Sequence, residues 1–394
     1  STVLLGWIAL GVIASPAPAV IAAAVIMVLI EVIRITQTAT LWIFARWARD
    51  PMPMAPVKGL RVAVHTTIVP GKEPFGLVSQ TLLAMKAIRY DGGTVDVWLL
   101  DEGDDPFIKK WCRHNGVYHF SRKGVDVWNT TSGRFKARTK HGNLNAFHDA
   151  FGHEYDVVAQ MDPDHVPSPE FLERSLGYFA APNVGFVVAP QVYGNLRESF
   201  IARASAFQAY VFHGIIQRGG NGLRAPLLIG TNHIVRTQML RDVGGYADNI
   251  IEDHLTSMMM FAKKNPATGN YWQGVYTPDI LSVGEGPTSF TDYFSQQQRW
   301  AYGVWQIAGS HSPKLFGDMK PRQAVAFAML QFFYPSVAIT WVLSICLSSV
   351  FLTGLVQGRP MVEWGLAWGI SMASTLGFFR WLYRFNLVEH ERKG

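Results

Sequence analysis

The chain has 394 residues, of which 49% are hydrophobic and only 16% charged, well below the roughly 25% charged content usual for soluble domains. Its formal charge of +6 gathers beside apolar stretches, at Arg34, Arg46, Arg49, Lys58 and Arg61 on one side and at Lys314, Lys320 and Arg322 on the other. With no basic face interleaved with aromatics, this distribution speaks against nucleic acid as a partner and for cytoplasmic flanks of membrane segments. The two cysteines, Cys112 and Cys346, define neither a disulfide framework nor a zinc pattern, as expected in a reducing cytosol.

Residues 1–30 carry no charged side chain and neither do 323–358, whereas 60–300 has the pattern of a globular domain. Val3 to Ala14 is apolar but shorter than the about 20 residues a full span needs. Ser15-Pro16-Ala17-Pro18 breaks it, and a second run from Ala19 to Ile30 continues through Glu31 and Arg34 into Leu41-Trp42-Ile43-Phe44. A signal peptide cleaved near Ala17-Pro18-Ala19 is the alternative; the missing basic n-region and the second apolar run argue against it.

In the central region short β-branched runs alternate with helical patterns. Strands are expected at Arg61 to Thr66, Thr94 to Leu100, Tyr155 to Met161 and Val184 to Ala189, with an extended piece at Val117 to Ser121. Helical spacing covers Phe75 to Tyr90, Asp105 to Asn115, Leu144 to His153 and His254 to Lys264. A further helix follows the third strand, with Ser168 as N-cap and Pro169 in its first position. This rhythm predicts an α/β fold, a mostly parallel sheet covered by helices on both faces, with ligands beyond the carboxyl ends of the strands.

Several motifs fall at such ends. Thr66-Thr67-Ile68-Val69-Pro70 leaves the first strand and suits a nucleotide contact, or a plain strand exit. Asp101-Glu102-Gly103 ends the second; its acid suits a base or ribose, or a solvated acidic loop. Lys140-His141-Gly142-Asn143-Leu144-Asn145 places a cation and backbone N–H groups at a helix start, suited to phosphate, although Asn143 also reads as an ordinary N-cap. Asp162-Pro163-Asp164 leaves the third strand with two carboxylates able to share Mg2+ or Mn2+; as a bare pattern it is also a turn. His141, His148, His153 and His165 have no i,i+4 pairing and are not read as a metal cluster.

Glu252-Asp253 precedes a helix, whose positive end keeps a carboxylate ionised and fit to act as a general base, or simply to cap. Gln296-Gln297-Gln298-Arg299-Trp300 offers a guanidinium fork for diphosphate and a flat ring for a sugar, on a helix that also reads as amphipathic and interfacial. Together these groups suit a membrane-embedded glycosyltransferase: a divalent cation holds a nucleotide diphosphate while a separate carboxylate activates a hydroxyl.

Near the other end, Ser336 to Val356 is a clean apolar span and Trp364 to Phe379 a shorter one, separated by Gln357-Gly358-Arg359-Pro360. Arg380, Arg384, Arg392 and Lys393 follow the last span, so the charge bias puts the loop outside and both the central domain and the C-terminus inside. The chain therefore divides into N-terminal membrane segments (1–48), a cytosolic domain (58–288), interfacial helices (289–335) and a C-terminal hairpin (336–384).

These elements together resemble the processive family-2 glycosyltransferases, the group holding cellulose, chitin and hyaluronan synthases. The match runs from about Thr66 to Trp305. It implies a GT-A-type, Rossmann-like fold flanked by transmembrane helices, and an inverting hexosyltransferase polymerising a β-linked polysaccharide from a UDP-hexose, UDP-glucose favoured. By the family pattern Asp101 contacts the nucleotide, Asp162 and Asp164 the nucleotide and metal, and Asp253 is the base beside Glu252. Gln296, Arg299 and Trp300 match the Gln-x-x-Arg-Trp signature on the diphosphate and acceptor side. Gly230-Thr231 falls where the family places its acceptor loop, and Gly244-Gly245-Tyr246 at the following turn.

Ile251 stands where the family has Thr, no Phe-x-Val-Thr-x-Lys element or cyclic-dinucleotide-binding domain follows, and about four membrane segments make a thin channel. The thin membrane region fits a chain lacking some helices, a homo-oligomer or accessory export proteins, or a shorter, less processive relative. The resemblance implies a multi-pass protein of the inner or plasma membrane, with membrane lipid and a growing glycan as partners. A non-processive enzyme of the same fold acting on a lipid acceptor is the alternative. An inactive scaffold is disfavoured because Asp101, Asp162, Asp164 and Asp253 are all present.

Overall fold

A computed structural model describes residues 1–382; the inside-facing charges expected at Arg384, Arg392 and Lys393 lie outside the described residues. In chain order the strands are β1 (Arg61–Ile68), β2 (Thr94–Asp101), β3 (Tyr118–Phe120), β4 (Val157–Gln160), β5 (Val166–Pro167), β6 (Val184–Val188), β7 (His233–Arg236), β8 (Gln273–Tyr276) and β9 (Ser282–Val283). Seven of them form one sheet in the order β3-β2-β1-β4-β7-β6-β8, and β5 pairs with β9 in a small ribbon. All pairs in the large sheet are parallel except those made by β7, which runs against both β4 and β6.

The alternation of side chains along each strand divides the interior into two cores. Val62, Val64, Val97, Leu99, Val157 and Ala159 pack on one face, with Val78 and Leu82 of the helix Phe75–Lys86. Ala63, Trp98, Leu100, Val158 and Val235 pack on the other, with Leu144 and Phe147 of the helix Lys140–Phe151 and Leu255 and Met258 of the helix Glu252–Phe261. Both faces are covered, as the near-continuous hydrophobic strands demand.

Local readings differ from the structure at several places, beyond shifted ends such as Phe75–Lys86 for Phe75 to Tyr90. β1 continues past Thr66 to Ile68 because its pairing with β2 runs as far as Asp101, so Thr67 and Ile68 lie inside the strand and not in an exit loop. The helix bearing Lys140 starts there and not at Leu144; Thr139 is its N-cap, its hydroxyl accepting from the Gly142 N–H at 3.2 Å. Ser168 caps no helix. Its N–H donates to the Leu281 carbonyl at 2.8 Å, extending the β5–β9 ribbon, and the next helix is the short Phe171–Ser175. Arg359 and Pro360, read as a loop, already belong to the helix Arg359–Leu382.

Among the described residues two helices are long and apolar enough to cross a membrane: Pro18–Arg46, and the pair Pro321–Gln331 and Phe333–Leu352 taken as one run. Thr2–Ala14 is apolar but shorter. These pack with Arg359–Leu382 around Leu4, Ile8, Ala23, Met27, Leu347 and Trp364. Inside this apolar group Glu31 accepts from Arg34 at 2.6 and 2.8 Å, and Arg34 donates onward to the Thr375 hydroxyl at 2.6 Å. At its other end Pro18–Arg46 runs into the globular domain, where Phe44 is fully buried in the larger core. Phe44→Ala is therefore expected to destabilise the protein by about 3–5 kcal/mol, read as a fall in the thermal unfolding midpoint in detergent; an unchanged midpoint would mean that this helix end is not seated in the domain.

Candidate active site

The carboxyl edge of the sheet collects the polar residues, and β7 matters most there. Because it runs backwards, its beginning lies at that edge, and the loop Ile229-Gly230-Thr231-Asn232 reaches the end of β4. The Asp162 N–H donates to the Thr231 hydroxyl at 2.9 Å, and that buried hydroxyl donates in turn to Asn232 Oδ1 at 3.2 Å.

Lys140 stands at the centre. Its Nζ donates to Asp162 Oδ1 and to the Gly230 carbonyl at 2.6 Å. Burial alone lowers an ammonium pKa, but Asp162, Glu252 and Asp253 outweigh it, so Lys140 is held firmly charged. Its helix can start there because Gly142 passes close under the Lys136 carbonyl and the Arg122 guanidinium, where a Cβ would clash. Arg122 is itself buried. It pairs with Glu102 at 2.7 Å and donates to the carbonyls of Trp128, Lys136 and Thr139, joining the loop after β2 to the segment that leads into Lys140.

Glu252 and Asp253 are the first two residues of their helix. A methyl group built on Gly230 would lie 3.4 Å from Lys140 Nζ, 3.6 Å from Asp253 Oδ2 and 4.0 Å from Glu252 Oε1. The Lys140–Asp162 pair and the two later carboxylates therefore face one point. Asp253 Oδ1 accepts from the His254 N–H at 2.7 Å, as a helix start permits. The helix start is not the only influence on these two acids. Burial pushes Glu252 up to about 7, Lys140 opposing and Asp253 adding to the rise, and burial raises Asp253 as well.

Asp164 accepts from or pairs with the His165 Nδ1 at 2.9 Å; burial raises its pKa, but His165 more than reverses this, and the carboxylate lies below its ordinary value. One ligand atom each from Asp162, Asp164 and His165 lies within 4.8 Å of the others. His165 Nε2 is buried without a hydrogen-bond partner among the described residues. Two carboxylates and an imidazole with an unused nitrogen fit a divalent cation such as Mg2+ or Mn2+. The sequence reading set His165 aside for want of a helical partner; its place directly after Asp-x-Asp at a strand end was the signal.

The helix Phe290–Ser310 completes the edge. Gly303 packs with its Cα against Ile251, a built Cβ lying 2.5 Å from Ile251 Cγ1, and Asn249 Nδ2 donates to Gln306 Oε1 at 3.0 Å. The segment just before Glu252 is thus clamped to this helix, and Trp300, one turn earlier on the same side, packs against the core that includes Ile251 and Leu255. Gln296 and Arg299 line an open cavity of ≈ 370 Å³ together with Asp164, Glu285, Thr288 and Asp292. Arg299 is exposed and has no ion-pair partner among the described residues.

Two expected residues lie deeper. Asp101 is fully buried, accepting from the N–H groups of Gly103 and Asp105 at 2.7 and 2.8 Å, with His119 Nε2 3.1 Å away. Burial raises its pKa, but His119 and the two N–H donors bring the net value below the ordinary one. Thr66 is fully buried and its hydroxyl has no partner among the described residues.

A family model described as Glycosyl transferase family group 2 matches residues 157–383, more than half of the chain. The cellulose synthase catalytic subunit [UDP-forming] of Xanthomonas axonopodis pv. citri (strain 306) is 26% identical over 294 residues, 73% of this chain and 38% of that protein. The same-named subunit of Pseudomonas fluorescens (strain SBW25) is 28% identical over 271 residues, 66% of this chain and 34% of that protein. The chain thus spans little more than a third of these relatives' length. Among solved structures, the mannosyltransferase PcManGT from Pyrobaculum calidifontis, in complex with GDP-Man and Mn2+, superposes with a TM-score of 0.63 at 16% identity over 92% of this chain and 94% of that one, a likeness of fold.

The close approach at Gly142 is directly testable. Gly142→Ala is expected to destabilise the protein by about 1–3 kcal/mol through overpacking, measured as a lower denaturant midpoint; no shift would mean that the segment before Lys140 is free to move.

Proposed function

The chain belongs to glycosyl transferase family group 2, and we propose that it transfers a hexose from a nucleotide-activated donor to a growing glycan, inverting the anomeric centre. The observation that carries this reading is the convergence at Gly230 of Lys140 and Asp162 with Glu252 and Asp253. A leaving-group site and a proton acceptor are needed side by side for a one-step displacement, and this arrangement supplies both.

Asp162, Asp164 and Lys140 would hold the donor diphosphate, with Arg299, which lines the same cavity as Asp164, binding its oxygens. Asp162, Asp164 and His165 would hold a divalent cation, Mg2+ or Mn2+, which would supply positive charge against that developing on the departing diphosphate. Lys140 contributes a fixed positive charge on the same side. Asp253 takes the proton from the acceptor hydroxyl, with Glu252 beside it in the same desolvated pocket. Trp300 offers its ring face to the acceptor sugar and Gln296 a hydrogen-bonding amide, while Gly230 leaves room at the meeting point and Thr231 braces Asp162. Asp101 and Thr66 shape the nucleotide end from below.

The printed names of the relatives support a UDP-linked donor, with UDP-glucose favoured, and a β-linked polysaccharide as product. The apolar helices Pro18–Arg46 and Phe333–Leu352 support a multi-pass protein of the inner or plasma membrane with its catalytic domain in the cytosol. Membrane lipid is then a constant partner, and further copies or accessory proteins complete any export path. Sizing the product made from labelled UDP-glucose tests polymerisation; addition of one sugar to a lipid would replace the polymerase reading.

Asp253→Asn is expected to lower transfer by about 10²–10⁴-fold while leaving donor affinity unchanged; full activity in that variant would remove Asp253 as the base. Burial raises both carboxylates, so the proton is retained to higher pH and the base form is lost earlier as pH falls. The acid limb of kcat/KM should therefore lie above the position of a free carboxylate, near 4; a limb at the ordinary position would show that the pocket is wet. EDTA is expected to abolish turnover and Mg2+ or Mn2+ to restore it, and turnover that persists in EDTA would discard the metal role of Asp162, Asp164 and His165.

A further inference from the structure

We propose that His233 and Tyr246 form a buried positioning pair that holds the Ile229–Gly230 backbone against the helix of Lys140 and so sets the spacing between Lys140 and Asp253. Neither residue touches the reacting groups, and the assignment rests on the transfer reaction proposed above.

The connections are continuous. His233 Nδ1 lies 2.6 Å from the Ile229 carbonyl, which can only accept, so Nδ1 carries the ring proton. Nε2 then has a free lone pair and accepts from the Tyr246 hydroxyl at 2.9 Å. The Tyr246 backbone is tied to the helix Lys140–Phe151 through Asn145, whose Nδ2 donates to the Tyr246 carbonyl at 2.9 Å and whose Oδ1 accepts the Tyr246 N–H at 2.8 Å. Two links therefore run from one helix to one loop. Lys140 Nζ reaches the Gly230 carbonyl in front, at the site. Asn145, Tyr246 and His233 reach the preceding carbonyl from behind.

The pair suits this task because it is dry and single-valued. His233 is 1% exposed and Tyr246 2% exposed, and burial lowers the imidazole to about 3, so the ring stays neutral and keeps one tautomer. A neutral hydrogen-bonded ring holds a distance without adding a charge beside the carboxylates. Neighbouring imidazoles behave otherwise: both nitrogens of His65 and Nε2 of His148 are buried without partners among the described residues. The His233 ring has both nitrogens engaged and ends on the backbone of the acceptor-side loop.

The full chain in detergent, with UDP-glucose, UDP-N-acetylglucosamine and GDP-mannose as donors plus Mn2+, gives the test through nucleotide release and thermal unfolding. Tyr246→Phe removes one oxygen and should lower kcat about tenfold with donor KM and unfolding midpoint nearly unchanged. His233→Leu should lower kcat further, and His233→Asn, whose amide can still donate to the Ile229 carbonyl but does not reach Tyr246, should return it to about the Tyr246→Phe level. If Tyr246→Phe keeps its kcat, if Asn rescues no better than Leu, or if the losses simply follow the unfolding midpoints, the assignment is overturned while the transferase reading stands. A wild-type chain that releases no nucleotide from any donor overturns that reading and this assignment with it.

Discussion

One ammonium group organises the catalytic edge. Lys140 Nζ bridges Asp162 and the Gly230 carbonyl and faces Glu252 and Asp253. Three carboxylates gathered in a largely buried pocket repel one another and lose hydration, a cost that an opposing charge must offset. Lys140 provides that charge, and its effect is visible in both directions. It is held protonated by the acids, and it moderates the upward shift that burial imposes on Glu252 and Asp253. The geometry and the electrostatics of the pocket thus depend on the same contact.

That contact exists because two backbone features deliver its ends. Arg122, buried and forked across the carbonyls of Trp128, Lys136 and Thr139, gathers the segment that leads into the Lys140 helix. The reversed strand β7 brings Gly230 and Thr231 to the carboxyl edge, where an all-parallel sheet would have put them at the opposite end. With β4 carrying Asp162 on one side and the helix of Glu252 on the other, the loop before β7 becomes the point at which Lys140, Asp162, Glu252 and Asp253 meet.

The apolar helices connect to this edge through packing and a polar path. Phe44 seats the long N-terminal helix in the domain core. The Gln-x-x-Arg-Trp helix is pinned to the catalytic segment by Gly303 on Ile251 and by Asn249 on Gln306. It reaches the first turn of Phe333–Leu352 through Gln297, whose Oε1 accepts from the Tyr334 hydroxyl at 3.1 Å.

Much of this was legible in the chain itself. Alternating apolar runs ending in Asp101 and Asp162 specify strands and the edge at which they stop, since hydrophobic periodicity is a local property. The motifs Asp-x-Asp, Glu-Asp and Gln-x-x-Arg-Trp name their chemistry by residue type and spacing. Other features could be settled only by long-range contacts. The direction of β7, the pairing of Ser168 with Leu281 in place of a cap, and the burial of Thr66 depend on which segments meet in space. The same holds for the proton affinity of Glu252, which follows from neighbours at positions 140, 162 and 253. Local pattern determined which groups are present and on which elements they ride; tertiary packing decided which of them face one another, because desolvation and charge pairing act across space and leave no trace in sequence spacing.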